Sequence, residues 1–66
     1  MNIQLNGQTR QVADGITITV LLETLELADK RLAVEVNEDL VTRSKFDSHS
    51  LKEGDHVEIV QAIGGG

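Results

Sequence analysis

The chain has no cysteine and no proline, and Phe46 is its only aromatic residue. The lack of cysteine excludes disulfides, thiolate metal sites and a cysteine nucleophile. One phenylalanine makes neither a stacking platform for bases nor an aromatic cage for a cationic ligand. No apolar run approaches the roughly 20 residues that span a bilayer. Basic residues are few: six Lys and Arg stand against eleven Asp and Glu, a net charge of −5 with His neutral. A net acidic chain repels phosphate backbones and anionic lipid, so nucleic acid and membrane surfaces are not expected partners. The chain is also short. Sixty-six residues make one domain that can bury about 60% of its unfolded surface. That supports one thin core and no deep cleft with its own walls. Without staples, such a domain depends on good packing.

What is present begins with alternation. Met1, Ile3 and Leu5 alternate with Asn2, Gln4 and Asn6, a half-buried strand. A strand that starts at once leads us to expect no leader segment before the domain and a cytoplasmic protein. Asn6-Gly7 then marks a hairpin, because both central residues of a type I′ turn need positive φ. Residues 8–13 read as the return strand, with Met1 opposite Val12 and Ile3 opposite Arg10. Only Val12 is a clear core residue there, so this is a weak edge strand.

After Asp14-Gly15 the period changes. Ile18, Leu21, Leu22 and Leu25 stand at i, i+3, i+4 and i+7, one face of a helix over residues 18–27. Thr17 is the expected N-cap, and Ile16 with Leu21 fits a hydrophobic staple. Leu32, Val34 and Val36 give a third strand. Residues 37–39 form a tight connection, and residues 40–42 a short fourth strand. Phe46 anchors an otherwise polar, irregular or 3₁₀ segment. Leu51 is a further anchor, and Gly54 takes positive φ in a turn. The last strand runs over residues 56–63, with Val57 and Ile59 on one face and His56, Glu58 and Val60 on the other.

This order predicts an α+β domain: a mixed sheet of four to five strands with one helix packed on one face. The last strand should lie parallel to the first and beside it. The expected core is Ile3, Leu5, Ile18, Leu21, Leu22, Leu25, Val34, Val36, Val57 and Ile59, with Phe46 closing one end. Residues 1–63 make the domain, and residues 64–66 a flexible glycine tail.

The side chains offer little chemistry. His49 and His56 lack a third ligand at any familiar metal spacing. Glu38-Asp39 reads as solvated turn residues. No metal site and no bound cofactor are expected, and no residue qualifies as catalytic. The unusual feature is the end: Gly64, Gly65 and Gly66 are three of the six glycines. Gly-Gly-Gly carries no side chains, so it can thread a narrow channel. No helix follows to make it a phosphate-binding loop. The reactive group it offers is the Gly66 carboxylate, which suits a substrate for another enzyme's chemistry. Val60 is an apolar residue on the open face beside this tail.

The residues Ile3-Gln4-Leu5-Asn6-Gly7, Leu21-Leu22, Leu25 and Ala33-Val34-Glu35-Val36-Asn37 carry a resemblance. So do Val41-Thr42-Arg43-Ser44-Lys45-Phe46, Leu51-Lys52-Glu53-Gly54-Asp55, Val57-Glu58-Ile59-Val60 and the closing Gly65-Gly66. Together they resemble the ThiS family, sulfur carriers of thiamine biosynthesis with a ubiquitin-like β-grasp fold, over all 66 residues. The departures are Thr42, where members often carry proline, and a third terminal glycine. The resemblance implies a carrier and not an enzyme. A ThiF-type partner would adenylate Gly66 with ATP and Mg²⁺. A persulfide donor would supply sulfur, and the resulting thiocarboxylate would serve thiazole synthase. Gly64 and Gly65 would thread the partner's active site, with Val60, Ala62 and Ile63 as the docking edge. Two other readings stay open: a carrier similar to the small subunit of molybdopterin synthase, and a ubiquitin-like binding module or modifier that carries no sulfur.

Overall fold

The computed structural model describes residues 1–61. Five strands, one α-helix and a 3₁₀ turn follow in the order β1 (Asn2–Leu5), β2 (Gln8–Gln11), α1 (Ile18–Thr24), β3 (Leu32–Val36), β4 (Asp39–Val41), the 3₁₀ turn Arg43–Lys45, and β5 (His56–Gln61). The strands form one sheet in the order β2-β1-β5-β3-β4. The last strand fills the centre, parallel to β1 and antiparallel to β3. Hairpins join β1 to β2 and β3 to β4, whereas the parallel β1–β5 pair needs the long crossover that the helix supplies. This is a ubiquitin-like β-grasp.

Period-2 alternation sets the inner face. Ile3, Val34, Val36, Val41, Val57 and Ile59 turn inward against Ile18, Leu21 and Leu22 of α1, with Ile16, Phe46 and Leu51 closing the core. Ile16, Val41 and Leu51 belong to the core although the alternation argument omitted them. Leu5 and Leu25, expected in it, are only partly buried. Val41 was hidden because a three-residue strand offers no alternation to count.

The hairpin registers follow from turn chemistry. Asn6 and Gly7 have φ of 49° and 83°, as a type I′ turn requires. Ile3 then lies opposite Arg10, as the turn length demands. All four residues of β2 are exposed. The strand closes at Gln11 and not at residue 13; Val12 still donates to the Met1 carbonyl at 2.9 Å and is half-buried. The β3–β4 turn uses Asn37 and Glu38 at φ of 52° and 72°, so β4 begins at Asp39 and ends one residue earlier than expected.

The helix starts where expected. The Thr17 hydroxyl accepts from the Val20 N–H at 3.3 Å, satisfying a donor that the first turn leaves unpaired. Its end is the main correction: α1 closes at Thr24, three residues before residue 27. Glu26 enters the left-handed region at φ 61°. The Leu27 N–H reaches the Leu22 carbonyl at 2.8 Å, and the Glu26 N–H reaches the Glu23 carbonyl at 3.0 Å. That pair of bonds is a Schellman cap. No glycine marks it in the sequence. The apolar pair Leu22 and Leu27 brackets it instead.

Candidate functional site

The outer face of the sheet is polar along β1 and β2 and mixed along β5, β3 and β4. On β5 it presents His56, Glu58 and Val60, all exposed. Glu58 lies opposite Glu35, and Val60 opposite Ala33. Val60 is 63% exposed and Leu40, on β4 beyond β3, is 65% exposed. A shallow cleft lined by Glu35, Asn37, Glu38, His56 and Glu58 adjoins them. Val60 thus stands where the sequence placed it: on the open face, one residue before the end of the described chain. The other proposed docking residues, Ala62 and Ile63, and the glycines Gly64, Gly65 and Gly66 lie outside the described residues.

His49 and His56 do not meet. His49 is half-buried in the segment after the 3₁₀ turn, and His56 opens β5. Among the described residues no three His, Asp or Glu are grouped to hold a metal ion. Nor is any described helix long and apolar enough to cross a membrane. Glu38 and Asp39 are both exposed, but only Glu38 is a turn residue; Asp39, expected in the turn, opens β4.

Two asparagines do work that the sequence reading assigned only to turns. Asn37, at the β3–β4 turn, grips the start of β5. Its N–H donates to the His56 carbonyl at 2.7 Å, and its Oδ1 accepts from the His56 N–H at 3.0 Å. Its Nδ2 also donates to Asp55 Oδ1 at 3.0 Å. Asn6, at the β1–β2 turn, grips the other end. Its Oδ1 accepts from the Ile59 N–H at 2.8 Å, and its Nδ2 donates to the Ile59 carbonyl at 3.3 Å. An asparagine that tolerates positive φ and carries a peptide-like amide suits both tasks. No pattern in the sequence links residue 6 to residue 59; only the parallel β1–β5 pairing does.

A groove on the helix side adjoins the same end of β5, lined by Leu5, Asn6, Leu25, Leu27, Ile59 and Gln61. It exists because α1 ends early, which leaves Leu25 and Leu27 at the margin of the core.

The ThiS family model matches residues 3–66. The chain belongs to the ThiS family. A crystal structure of the thiamine biosynthesis protein ThiS from Geobacter metallireducens superposes with a TM-score of 0.86, at 36% identity over all of both chains. The sulfur carrier protein ThiS of Escherichia coli is 35% identical over 66 residues, again all of both chains. A thiazole synthase of Magnetococcus marinus is 39% identical over 66 residues, but the chain spans only 20% of that protein's length. The end of β5 is the described part of the chain nearest the terminal glycines: Val60 is exposed on the outer face, Asn6 holds Ile59, and five residues follow Gln61 in the sequence.

Proposed function

We propose that this chain is a sulfur carrier of thiamine biosynthesis whose working group is the Gly66 carboxylate. The observation that carries the reading is positional. The glycines begin three residues after Gln61, where the central strand of a ThiS-family β-grasp closes, and that strand is held on both sides by β1 and β3. The terminus is therefore tethered within a few residues of a rigid surface that a partner can recognise. That converts activation into a locally concentrated reaction.

The chemistry belongs to partners. A carboxylate is a poor electrophile. A ThiF-type enzyme with ATP and Mg²⁺ would let a Gly66 oxygen attack the α-phosphorus, releasing pyrophosphate and leaving an acyl adenylate. The sulfane sulfur of a persulfide donor would attack the carbonyl carbon, and AMP would leave with the electron pair. A second thiol on the donor side would open the resulting acyl disulfide, forming a disulfide there and freeing the thiocarboxylate. Thiazole synthase is the proposed acceptor of that sulfur. The likeness of this chain to one fifth of the M. marinus thiazole synthase supports that pairing. Gly64 and Gly65 thread the activating enzyme, and Val60, Ala62 and Ile63 form the apolar docking edge. The domain itself catalyses nothing in this scheme.

The test is ATP–pyrophosphate exchange by a ThiF-type enzyme with this protein as the only carboxylate supplied. Exchange should depend on the full chain and vanish for a chain ending at Ile63. Intact mass from a sulfur-replete host should show one oxygen replaced by sulfur. Adducts on lysines would indicate a modifier instead, and full exchange from the truncated chain would end the proposal.

A further inference from the structure

The two asparagine clasps hold β5 at opposite ends, and only Asn6 lies on the side where the chain runs on to Gly66. We propose that Asn6 is a positioning residue for the chemistry at Gly66, an inference that rests on the carrier reading above. Backbone pairing between β1 and β5 stops where the Asn6 N–H meets the Val57 carbonyl at 2.9 Å. There Asn6 turns to φ 49° and the chain leaves for β2. Its side-chain amide then stands where the next peptide of β1 would stand. It offers the same donor and acceptor, and it takes both the N–H and the carbonyl of Ile59 at 2.8 and 3.3 Å. The ladder on the β1 side is thereby carried two residues further. On the other side Val60 and Gln61 pair with Ala33 and Leu32 of β3. The Ile59 side chain is buried in the core. Ile59 is thus fixed by the Asn6 amide, by the pairing of β5 with β3 and by the core, seven residues before Gly66.

Without the clasp, the β1 side of β5 would be held only as far as Val57, nine residues before Gly66. The tether does not lengthen, because Val60 and Gln61 stay paired with β3. Its direction is what changes, since a strand paired on one side can swing within the plane of the sheet. A small misalignment of reacting groups is costly in rate. The clasp therefore acts on the turnover of docked protein more than on docking.

Asn6→Gly keeps the positive-φ turn and removes the clasp. Asn37→Gly does the same at the far end of β5 and serves as the structural control. Asn6→Asp keeps the acceptor for the Ile59 N–H and loses the donor to its carbonyl. The measurements are melting temperature, amide exchange at Ile59, and kcat and KM for pyrophosphate exchange well below melting. In Asn6→Gly the Ile59 amide should exchange at least tenfold faster. Its kcat should fall about tenfold, with KM within twofold of wild type. Asn37→Gly should lose as much melting temperature and keep wild-type kcat, and Asn6→Asp should lie between wild type and Asn6→Gly. Equal loss of kcat in the two glycine variants would make Asn6 merely structural and overturn the proposal. So would a deprotected Ile59 amide with unchanged kcat, or an Ile59 amide that stays protected. Should Asn6→Gly not fold, Asn6→Asp decides alone: faster Ile59 exchange at wild-type kcat sinks the idea. A wild-type protein that supports no exchange at all brings down the carrier reading itself, an outcome visible without any variant.

Discussion

Glu35 on β3 and Glu58 on β5 stand directly opposite each other on the outer face of the sheet. Neither forms an ion pair among the described residues, where the only such contact joins the Met1 ammonium to Asp14 at 3.1 Å. Like charges facing across a strand pair are mutually destabilising, and both residues are exposed, so the effect is screened. Glu58→Gln should therefore stabilise the domain by a few tenths of a kcal/mol. The gain should be larger at low salt and shrink as salt is added. Thermal unfolding at two ionic strengths measures this. A variant less stable than wild type at low salt would show that the two carboxylates do not repel.

Leu22 is buried in the core and also supplies the carbonyl that caps α1, whereas Leu25 is only partly buried at the margin. Leu22→Ala should cost about 2–5 kcal/mol. In a domain of this size 1 kcal/mol moves the melting temperature by about 4–8 °C, so the variant should melt at least about 8 °C lower or lose its fold. Leu25→Ala should cost about half as much, because less of its surface leaves water on folding. Denaturant titration of both variants checks the order. Equal losses would mean that the helix face is rotated from the one described.

Glu38 occupies the second turn position between β3 and β4 at φ 72°, a conformation that costs a side-chain-bearing residue about 1–2 kcal/mol. Glycine there removes that strain but loses more freedom on folding, a penalty of about 0.5–1 kcal/mol. The difference has a definite sign. Glu38→Gly should stabilise by up to about 1.5 kcal/mol, with a rise in melting temperature of a few degrees. A drop in the melting temperature would show that the Glu38 side chain contributes something the backbone angles do not reveal.

The tail should separate activity from stability. Gly65→Val adds a β-branched side chain that stiffens the backbone and widens the thread. Exchange activity should fall sharply. Melting should stay within a degree of wild type, because the core lies wholly in the folded body of the domain. Deleting Gly66 moves the carboxylate back by about 3.5 Å and should also reduce exchange. Parallel losses of activity and melting temperature in either variant would contradict the assignment of residues 64–66 as a tail outside the core.

Local chemistry determined a good deal of this protein. Alternation placed Ile3, Val34, Val57 and Ile59 on one face, because successive side chains of a strand point to opposite sides. Asn6-Gly7 fixed the first hairpin, since few residue pairs accept two positive φ angles. Thr17 fixed the start of α1, and the run of glycines at residues 64–66, with the family resemblance around it, pointed to function. Tertiary structure decided the rest. Glu26 adopts a left-handed conformation without glycine's freedom, and the burial of Leu22 beside Leu27 holds that cap in place, so α1 ends at Thr24. Val41 enters the core from a strand too short to show a period. The parallel contact between β1 and β5 joins residues more than fifty apart, and it alone brings the Asn6 side chain to Ile59. A residue's own turn preference can be read from its neighbours in the chain. The partner its side chain will find across a sheet depends on strand order, and strand order is settled by how the whole core packs.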